Sequence, residues 1–336
     1  MNGRPPKPLP SVLVLCGGPD AEHEVSLQSA QSVAGALREA GAEVHRVVID
    51  RPTAAELAPM PGEVVFPVLH GCFGEGGPLQ DVLEALGRPF VGSSSRAART
   101  AMDKLATKLL AARLGLPTMP ACVFDPNDST CPLPLPVVVK PVREGSSVGL
   151  HLCDDAAGWA CARREISRDI REHPGRAYMV EPRVRGRELT VGVLEGAEGL
   201  EALPLIEIVP SEGVYDFAAK YDRDDTRYVV NPAFQADQTA ARLAEAAVAL
   251  ATALGVQHLC RVDFLLDEAG EPWLLEANTM PGFTAHSLFP MAAAASGMTM
   301  AEVCAHLVRL AAGHAAHRPQ HTPPHCPPHH HPRGGG

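Results

Sequence analysis

At 336 residues the chain is long enough for about two or three modest domains, each with its own core. A formal net charge of −10 argues against a general nucleic-acid surface, so an anionic ligand must be met by local cations. Nine cysteines, odd in number and without a CxxC pair, suit a reducing cytoplasm better than a disulfide framework, and the start MNGRPPKPLP carries no apolar signal core. No apolar run approaches membrane-spanning length, so a soluble, cytoplasmic protein is expected.

Ser11–Cys16 reads as a short buried strand running into Gly17-Gly18-Pro19-Asp20. A helix capped by Asp20 is expected to follow through about Ala40, with Glu22, His23, Glu24 and Ser26 on its first turn. Glycines between strand and helix allow a ligand to approach backbone N–H groups there. Acids at a helix start also complement its dipole and need no function, so Glu22 gains meaning only if other site residues converge on it. Val44–Ile49 and Val64–Leu69 read as further strands, the second ending in His70 and the loop HGCFGEGGP. Polar residues at the C-terminal end of strands mark the ligand edge of open α/β sheets. Neither loop fits GxGxxG, and GxxxxGK[ST] is absent, which weakens dinucleotide and P-loop readings.

Thr100–Leu114 reads as one helix, with Asp103 and Lys104 near its start, ended by Pro117. Val137–Lys140 is a β-branched strand followed by PVREGSSVG and another strand through Cys153. Strand, small-residue loop and strand make a flap whose N–H groups and hydroxyls suit phosphate, with Lys140 supplying charge; an ordinary flexible hairpin gives the same pattern. A helix over 154–173 and strands at Ala177–Glu181, Glu188–Leu194 and Leu203–Val209 come next. The polar stretch from Pro210 to Pro232, with Lys220-Tyr221 at its middle, is long enough to be a functional lid. Gln238–Leu254 is an alanine-rich helix, and Ala285–Leu310 closes the fold with helical segments.

Between them lies CRVDFLLDEAGEPWLLEANTMPG, residues 260–282, which reads as a hairpin turning at 267–270. That turn sets Arg261 opposite Glu276 and Asp263 opposite Leu274. Arg261 and Asp263 then share one face, matched by Glu276 and Asn278 on the partner strand. Buried carboxylates need partners, and these oxygens suit magnesium beside phosphates, leaving Arg261 for developing negative charge. The alternative is a solvated hairpin face with a surface ion pair. From Gly313 the chain is rich in proline and holds seven histidines and a cysteine; such a tail offers soft metal ligands, and its proline density predicts disorder.

GGPDAEHEVS at 17–26, LHG at 69–71, MDKL at 102–105, VVKPVREGSSVG at 138–149, AKY at 219–221 and LLEANTMPG through HSL at 274–288, in this order, resemble the D-alanine–D-alanine ligases of the ATP-grasp superfamily. The resemblance covers nearly all of residues 11–312. It implies an α/β (α+β) ATP-grasp fold with a Rossmann-like substrate domain (1–92), a central lid domain (93–187), a C-terminal domain with the magnesium site (188–312) and the His/Pro-rich tail (313–336). It implies ATP, magnesium or manganese as two ions, two D-alanine molecules, a homodimer, and no nucleic acid or membrane partner. The reaction implied is phosphorylation of one D-alanine, attack by a second, and release of D-alanyl-D-alanine for peptidoglycan precursor synthesis.

By position, Asp263, Glu276 and Asn278 correspond to metal ligands and Lys104 and Lys140 to phosphate-binding lysines. Ser147 would close over phosphate, Glu181 and Val184 match the adenine segment, and Glu188 a ribose ligand. Glu22 would hold the first substrate's ammonium, with His70 near that substrate and Lys220 in the lid. Ser146 and Tyr221 match a hydrogen-bonded set with Glu22. Arg261 and the Gly282 N–H would stabilise the tetrahedral oxyanion, while Ser287 and Leu288 would receive the second substrate's carboxylate. The chain departs from the pattern at Gly76, where an acid is usual, at Pro182, which removes a backbone donor, and in the short, proline-rich 122–136. A D-alanine–D-lactate ligase, another ATP-grasp carboxylate–amine ligase, and a non-catalytic nucleotide- or metal-binding protein are the rivals.

Overall fold

The computed structural model describes residues 8–210, 226–284 and 286–317, which hold three sheets with helices between them. The first sheet is parallel, in the order β2–β1–β3, from Val12–Gly17 (β1), Val44–Ile49 (β2) and Val64–Pro67 (β3). Side chains alternate across a strand, so an unbroken apolar run means cover on both faces. Val12, Val14 and Cys16 enter one core with the helix His23–Glu39 and the C-terminal helix Met300–His317. Leu13 and Leu15 enter the opposite core, with Leu57, Leu79 and Leu83. Ser26 ties this unit together: its hydroxyl accepts from the Gly17 amide at 2.9 Å and donates to the Val68 carbonyl at 2.7 Å.

Asp20 does not cap the first helix. Glu22 takes the N-cap position without a side-chain bond, and Asp20 instead accepts from the Phe73 amide at 2.8 Å, tying the two loops at the sheet's C-terminal edge. The single helix expected over 100–114 is two, Ser95–Met102 and Lys104–Arg113. Asp103 breaks it by adopting an extended backbone and capping the second helix through the Ala106 amide at 3.0 Å. The break frees the Lys104 amide to donate to the Val142 carbonyl at 3.0 Å.

The second sheet is antiparallel, in the order β4–β7–β5–β6, from Cys122–Val123 (β4), Val137–Pro141 (β5), His151–Cys153 (β6) and Tyr178–Pro182 (β7). The helix Ala156–Glu172 covers it through Trp159, Ala162 and Ile166. The third sheet orders β11–β10–β8–β12–β13, with β9 also beside β8. Its strands are Gly186–Glu195 (β8), Leu200–Ala202 (β9), Ile206–Val209 (β10), Arg227–Val230 (β11), Leu259–Asp267 (β12) and Pro272–Asn278 (β13). β11 thus occupies part of the stretch read as a polar connection. One face packs on the helix Thr239–Leu254 together with Ala101 and Ala111, and the other on Leu288, Phe289 and Ala292. The C-terminal helix continues past Gly313, where the tail was expected to begin. Among the described residues no single helix is long and apolar enough to cross a membrane.

The β12–β13 register differs from the expected one. Arg261 pairs with Asn278 and Asp263 with Glu276, whereas Phe264 pairs with Leu274, so a β-bulge leaves Leu275 unopposed. One extra residue reverses which face later side chains take. Pro272 and Leu274 therefore enter the core, while Glu276 and Asn278 emerge on the face of Arg261 and Asp263. Without the bulge, Leu274 and Glu276 would share a face.

Ser26→Ala leaves a buried donor and acceptor unpaired and is expected to lower unfolding stability by about 1–3 kcal/mol. Urea denaturation at neutral pH measures this; an unchanged midpoint would mean that water or relaxed backbone replaces the hydroxyl.

Candidate active site

Two pockets open between the sheets and share a wall. The first is lined by Glu22, His70, Glu75, Ser146, Asn278, Gly282 and Ser287. The second is lined by Lys140, Ser147, Glu181, Val184, Glu188 and Asp263. Lys104, Glu144, Arg261, Glu276 and Leu288 belong to both. Every candidate residue read from the sequence lines one or both pockets except Lys220 and Tyr221, which lie outside the described residues.

Lys104 reaches the shared wall because its helix begins there: its ammonium is 3.2 Å from Glu276 Oε2 and also donates to the Glu144 carbonyl in the flap. Arg261 forms a two-pronged pair with Asp263, Nε to Oδ1 at 2.9 Å and Nη2 to Oδ2 at 2.8 Å. The Thr190 hydroxyl donates to the same Oδ1 at 2.6 Å. Arg261 is thus held by Asp263 rather than free of it. The pair is no solvated surface bridge, since its side chains are only 14% and 15% exposed.

In the first pocket the Glu22 carboxylate accepts from the Ser146 hydroxyl, joining the first sheet's edge to the flap. Burial pushes the Glu22 carboxyl above its ordinary pKa against that bond, and Asp20 and Glu144 add repulsion. Ser146 and Ser147 both have left-handed backbones, φ 51° and 58°, unusual for residues other than glycine and a sign of a tightly specified loop. His70 Nδ1 lies 3.2 Å from the Met280 carbonyl, while Nε2 is buried without a partner. Burial lowers the His70 pKa to about 4, so the ring is neutral at pH 7. A Cβ at Gly282 would stand 2.7 Å from Ser287 Oγ, so glycine permits this close approach. Similarly, a Cβ at Gly76 would meet the Cys72 carbonyl oxygen at 2.4 Å, so this backbone as it stands admits only glycine there.

Asp263 and Glu276 are direct cross-strand partners and Asn278 stands two residues on, so two carboxylates and an amide face the cleft. Among the described residues no three His, Cys, Asp or Glu side chains gather as a cation cage. The set present fits magnesium, which keeps one or two protein carboxylates and fills its shell from phosphates and water. The Asn278 oxygen also accepts from the Met280 amide at 2.8 Å, which fixes the orientation of its side chain.

Three groups were missed in the sequence. Glu75 is buried in the first pocket with Oε2 unpartnered, and burial followed by Glu22 raises its pKa well above the ordinary value. Thr190 is the support of Asp263. Lys108 is buried against Glu181, and its place four residues after Lys104 was the available signal.

A family model described as D-ala D-ala ligase C-terminus matches residues 113–309. The chain is similar to the D-alanine–D-alanine ligase of Bordetella petrii, 42% identical over 91% of this chain and 93% of that one. It is also similar to that of Methylacidiphilum infernorum, 38% identical over 89% and 94%. Among solved structures, the D-alanine–D-alanine ligase of Coxiella burnetii is alike in fold, with a TM-score of 0.75 at 24% identity over 91% and 96% of the two chains. The VanG D-Ala:D-Ser ligase of Enterococcus faecalis gives a TM-score of 0.75 at 27% identity over 90% and 99%.

The neutral His70 gives a stability test. Its folded pKa of about 4 lies below the ordinary 6.5, so its contribution is present above 6.5 and is lost as pH falls through about 4. Between pH 7 and 5 the wild type should lose about 2 kcal/mol more unfolding stability than His70→Gln. Equal losses in urea titrations at both pH values would remove His70 as an acid-sensitive group.

Proposed function

The chain belongs to the D-alanine–D-alanine ligase family, and on that premise we propose how its paired pockets carry out ATP-dependent ligation of two D-alanines. Its mixed α/β architecture is the ATP-grasp fold. The reaction is ADP-forming and supplies D-alanyl-D-alanine for peptidoglycan synthesis. One observation carries the site assignment: Lys104, Arg261 and Glu276 stand in the wall common to both pockets. A phosphoryl group passing from nucleotide to carboxylate must be reached from both sides, and such transfer is mostly a matter of positioning and charge.

The second pocket takes ATP, with adenine along Glu181 and Val184, ribose at Glu188, and phosphates toward Lys104, Lys140 and the Ser147 end of the flap. Asp263, Glu276 and Asn278 would hold magnesium or manganese, which when bound offsets the charge of the phosphates and the two carboxylates. In the first pocket Glu22 receives the ammonium of the first D-alanine, beside neutral His70. The carboxylate oxygen of that first D-alanine bonds to the γ-phosphorus as the bond to ADP breaks, giving an acyl phosphate. The neutral amine of the second D-alanine then attacks the acyl carbon, and phosphate leaves as hydrogen phosphate, carrying the proton the amine gives up. Arg261 and the Gly282 N–H face the oxyanion formed on the way. Ser287 and Leu288, at the start of the helix Leu288–Ala295, receive the second carboxylate, where the helix dipole favours it. We further assign domain boundaries near residues 92 and 187, a homodimer, and a cytoplasmic location, which the eight unpaired thiols among the described residues support.

Purified protein with ATP, magnesium and D-alanine should release phosphate only when D-alanine is present, and the product mass should be that of the dipeptide. D-lactate and D-serine, run as second substrates, should give less product. Phosphate without dipeptide would assign a different acceptor. Glu276→Gln should lower turnover roughly a hundredfold or more by halving the carboxylate charge facing the phosphates. A near-normal rate would remove Glu276 from that role.

A further inference from the structure

Lys108 lies one helical turn beyond Lys104, and the chemistry above makes no use of it. Its ammonium has three N–H donors and three acceptors: Glu181 Oε2 at 2.8 Å, Thr118 Oγ1 at 3.1 Å and the Met119 carbonyl at 3.1 Å. The contact with Oε2 is an ion pair between two buried side chains. The other oxygen of the same carboxylate, Oε1, pairs with Lys140. The three side chains are 6% (Lys108), 5% (Glu181) and 12% (Lys140) exposed, so solvent screens them little. Burial raises the Glu181 pKa, but the two lysines outweigh it and hold the carboxyl below its ordinary value. Burial lowers that of Lys108, with Glu181 opposing.

Lys140 and Glu181 line the second pocket, whereas Lys108 stands behind them. Two ammonium groups around one carboxylate carry one surplus positive charge; Lys140 and Glu181 alone would carry none. Thr118 Oγ1, which accepts from Lys108, donates to the Leu274 carbonyl at 3.2 Å, beside the bulge that turns Glu276 into the cleft. The same ammonium therefore anchors the second sheet's charged pair to the strand that carries Glu276.

We propose that Lys108 is a positioning residue for the nucleotide: by holding one oxygen of Glu181 it leaves Lys140 with net positive charge toward the polyphosphate. This rests on the second pocket being the ATP site. A purely structural lysine would alter stability without following the charge count.

The test is ATP–magnesium binding by calorimetry without D-alanine, on variants whose folding is checked by circular dichroism. Lys108→Met leaves a neutral pair and should weaken binding about tenfold. Lys108→Met/Glu181→Gln is read against Glu181→Gln, so that any contact of Glu181 with the adenine cancels, and should bind more weakly than that single variant. Glu181→Gln, at a residue that lies along the adenine, serves only as the reference for the double variant, and Lys108→Arg should bind close to wild type. A folded Lys108→Met that binds like wild type, or a double variant that binds as tightly as Glu181→Gln, would overturn the proposal. Should Lys108→Met fail to fold, the double variant against Glu181→Gln decides, with weaker binding by the double expected and equal binding overturning it. Lys140→Met separates the two readings. If it leaves binding unchanged, the pocket assignment itself fails; if it weakens binding while Lys108→Met does not, only the role of Lys108 fails.

Discussion

Asp263 and Glu276 are paired across neighbouring strands, and like charges directly opposite repel. Much of the cleft is an answer to that repulsion. Arg261, on the same face as Asp263, grips it with two bonds, and Thr190 supplies a third from β8. Lys104 answers Glu276, and its position depends on the helix break at Asp103. Asp103 also pairs with Arg143 of the flap at 3.0 Å, so the residue that ends one helix and starts the next fixes the flap's base as well. A residue placed for backbone reasons thus sets the position of the cation that answers Glu276.

The flap is tied on several sides at once. Ser146 donates to Glu22, Lys104 donates to the Glu144 carbonyl, and the Cys72 thiol donates to the Arg143 carbonyl. Arg176 pairs with Glu144 at 2.9 Å and with Asp169 at 2.9 Å, bracing the flap against the helix that covers its sheet. Two of these ties come from the first sheet's loops, so the flap's place over the pockets reports on residues distant in sequence. Glu22 and Glu75 meanwhile stand buried with their carboxyl groups pushed toward the protonated form. A cationic ligand entering there would relieve the cost of ionising them, in keeping with the ammonium proposed for this pocket.

Much of this was legible in the sequence because strands and loops carry their patterns locally. The double-sided run SVLVLC gave a covered parallel strand, and the loops after it and after Leu69 gave a polar edge. The pairing of acids with Arg261 on an otherwise oily hairpin gave the cleft. What stayed hidden was set by geometry across the fold. The helix 100–114 has a continuous helical composition, and its break shows only in the fold, where Asp103 caps the second helix and the freed Lys104 amide meets the Val142 carbonyl. Asp20 is a good cap by type, yet the Phe73 amide, far along the chain, is the donor it meets. Glu75 and Lys108 were not singled out in the sequence, because only the fold buries them. Gly76 read as a missing acid, and the close Cys72 carbonyl supplies the reason.

The hairpin register shows where such reading fails and why the failure is informative. A strictly alternating β13 cannot send Leu274 into the core and Glu276 into the cleft, since both lie on the same parity. The chain needs both: Leu274 is buried beside Ala111 and Phe264, and Glu276 must meet Lys104. One unopposed residue at Leu275 resolves the conflict, and the edge stays anchored because the Leu274 amide donates to the Pro117 carbonyl at 2.9 Å. Packing sets the first half of the strand and charge sets the second. The bulge is placed at the border between these two demands, and its position follows from them rather than from any local preference of leucine.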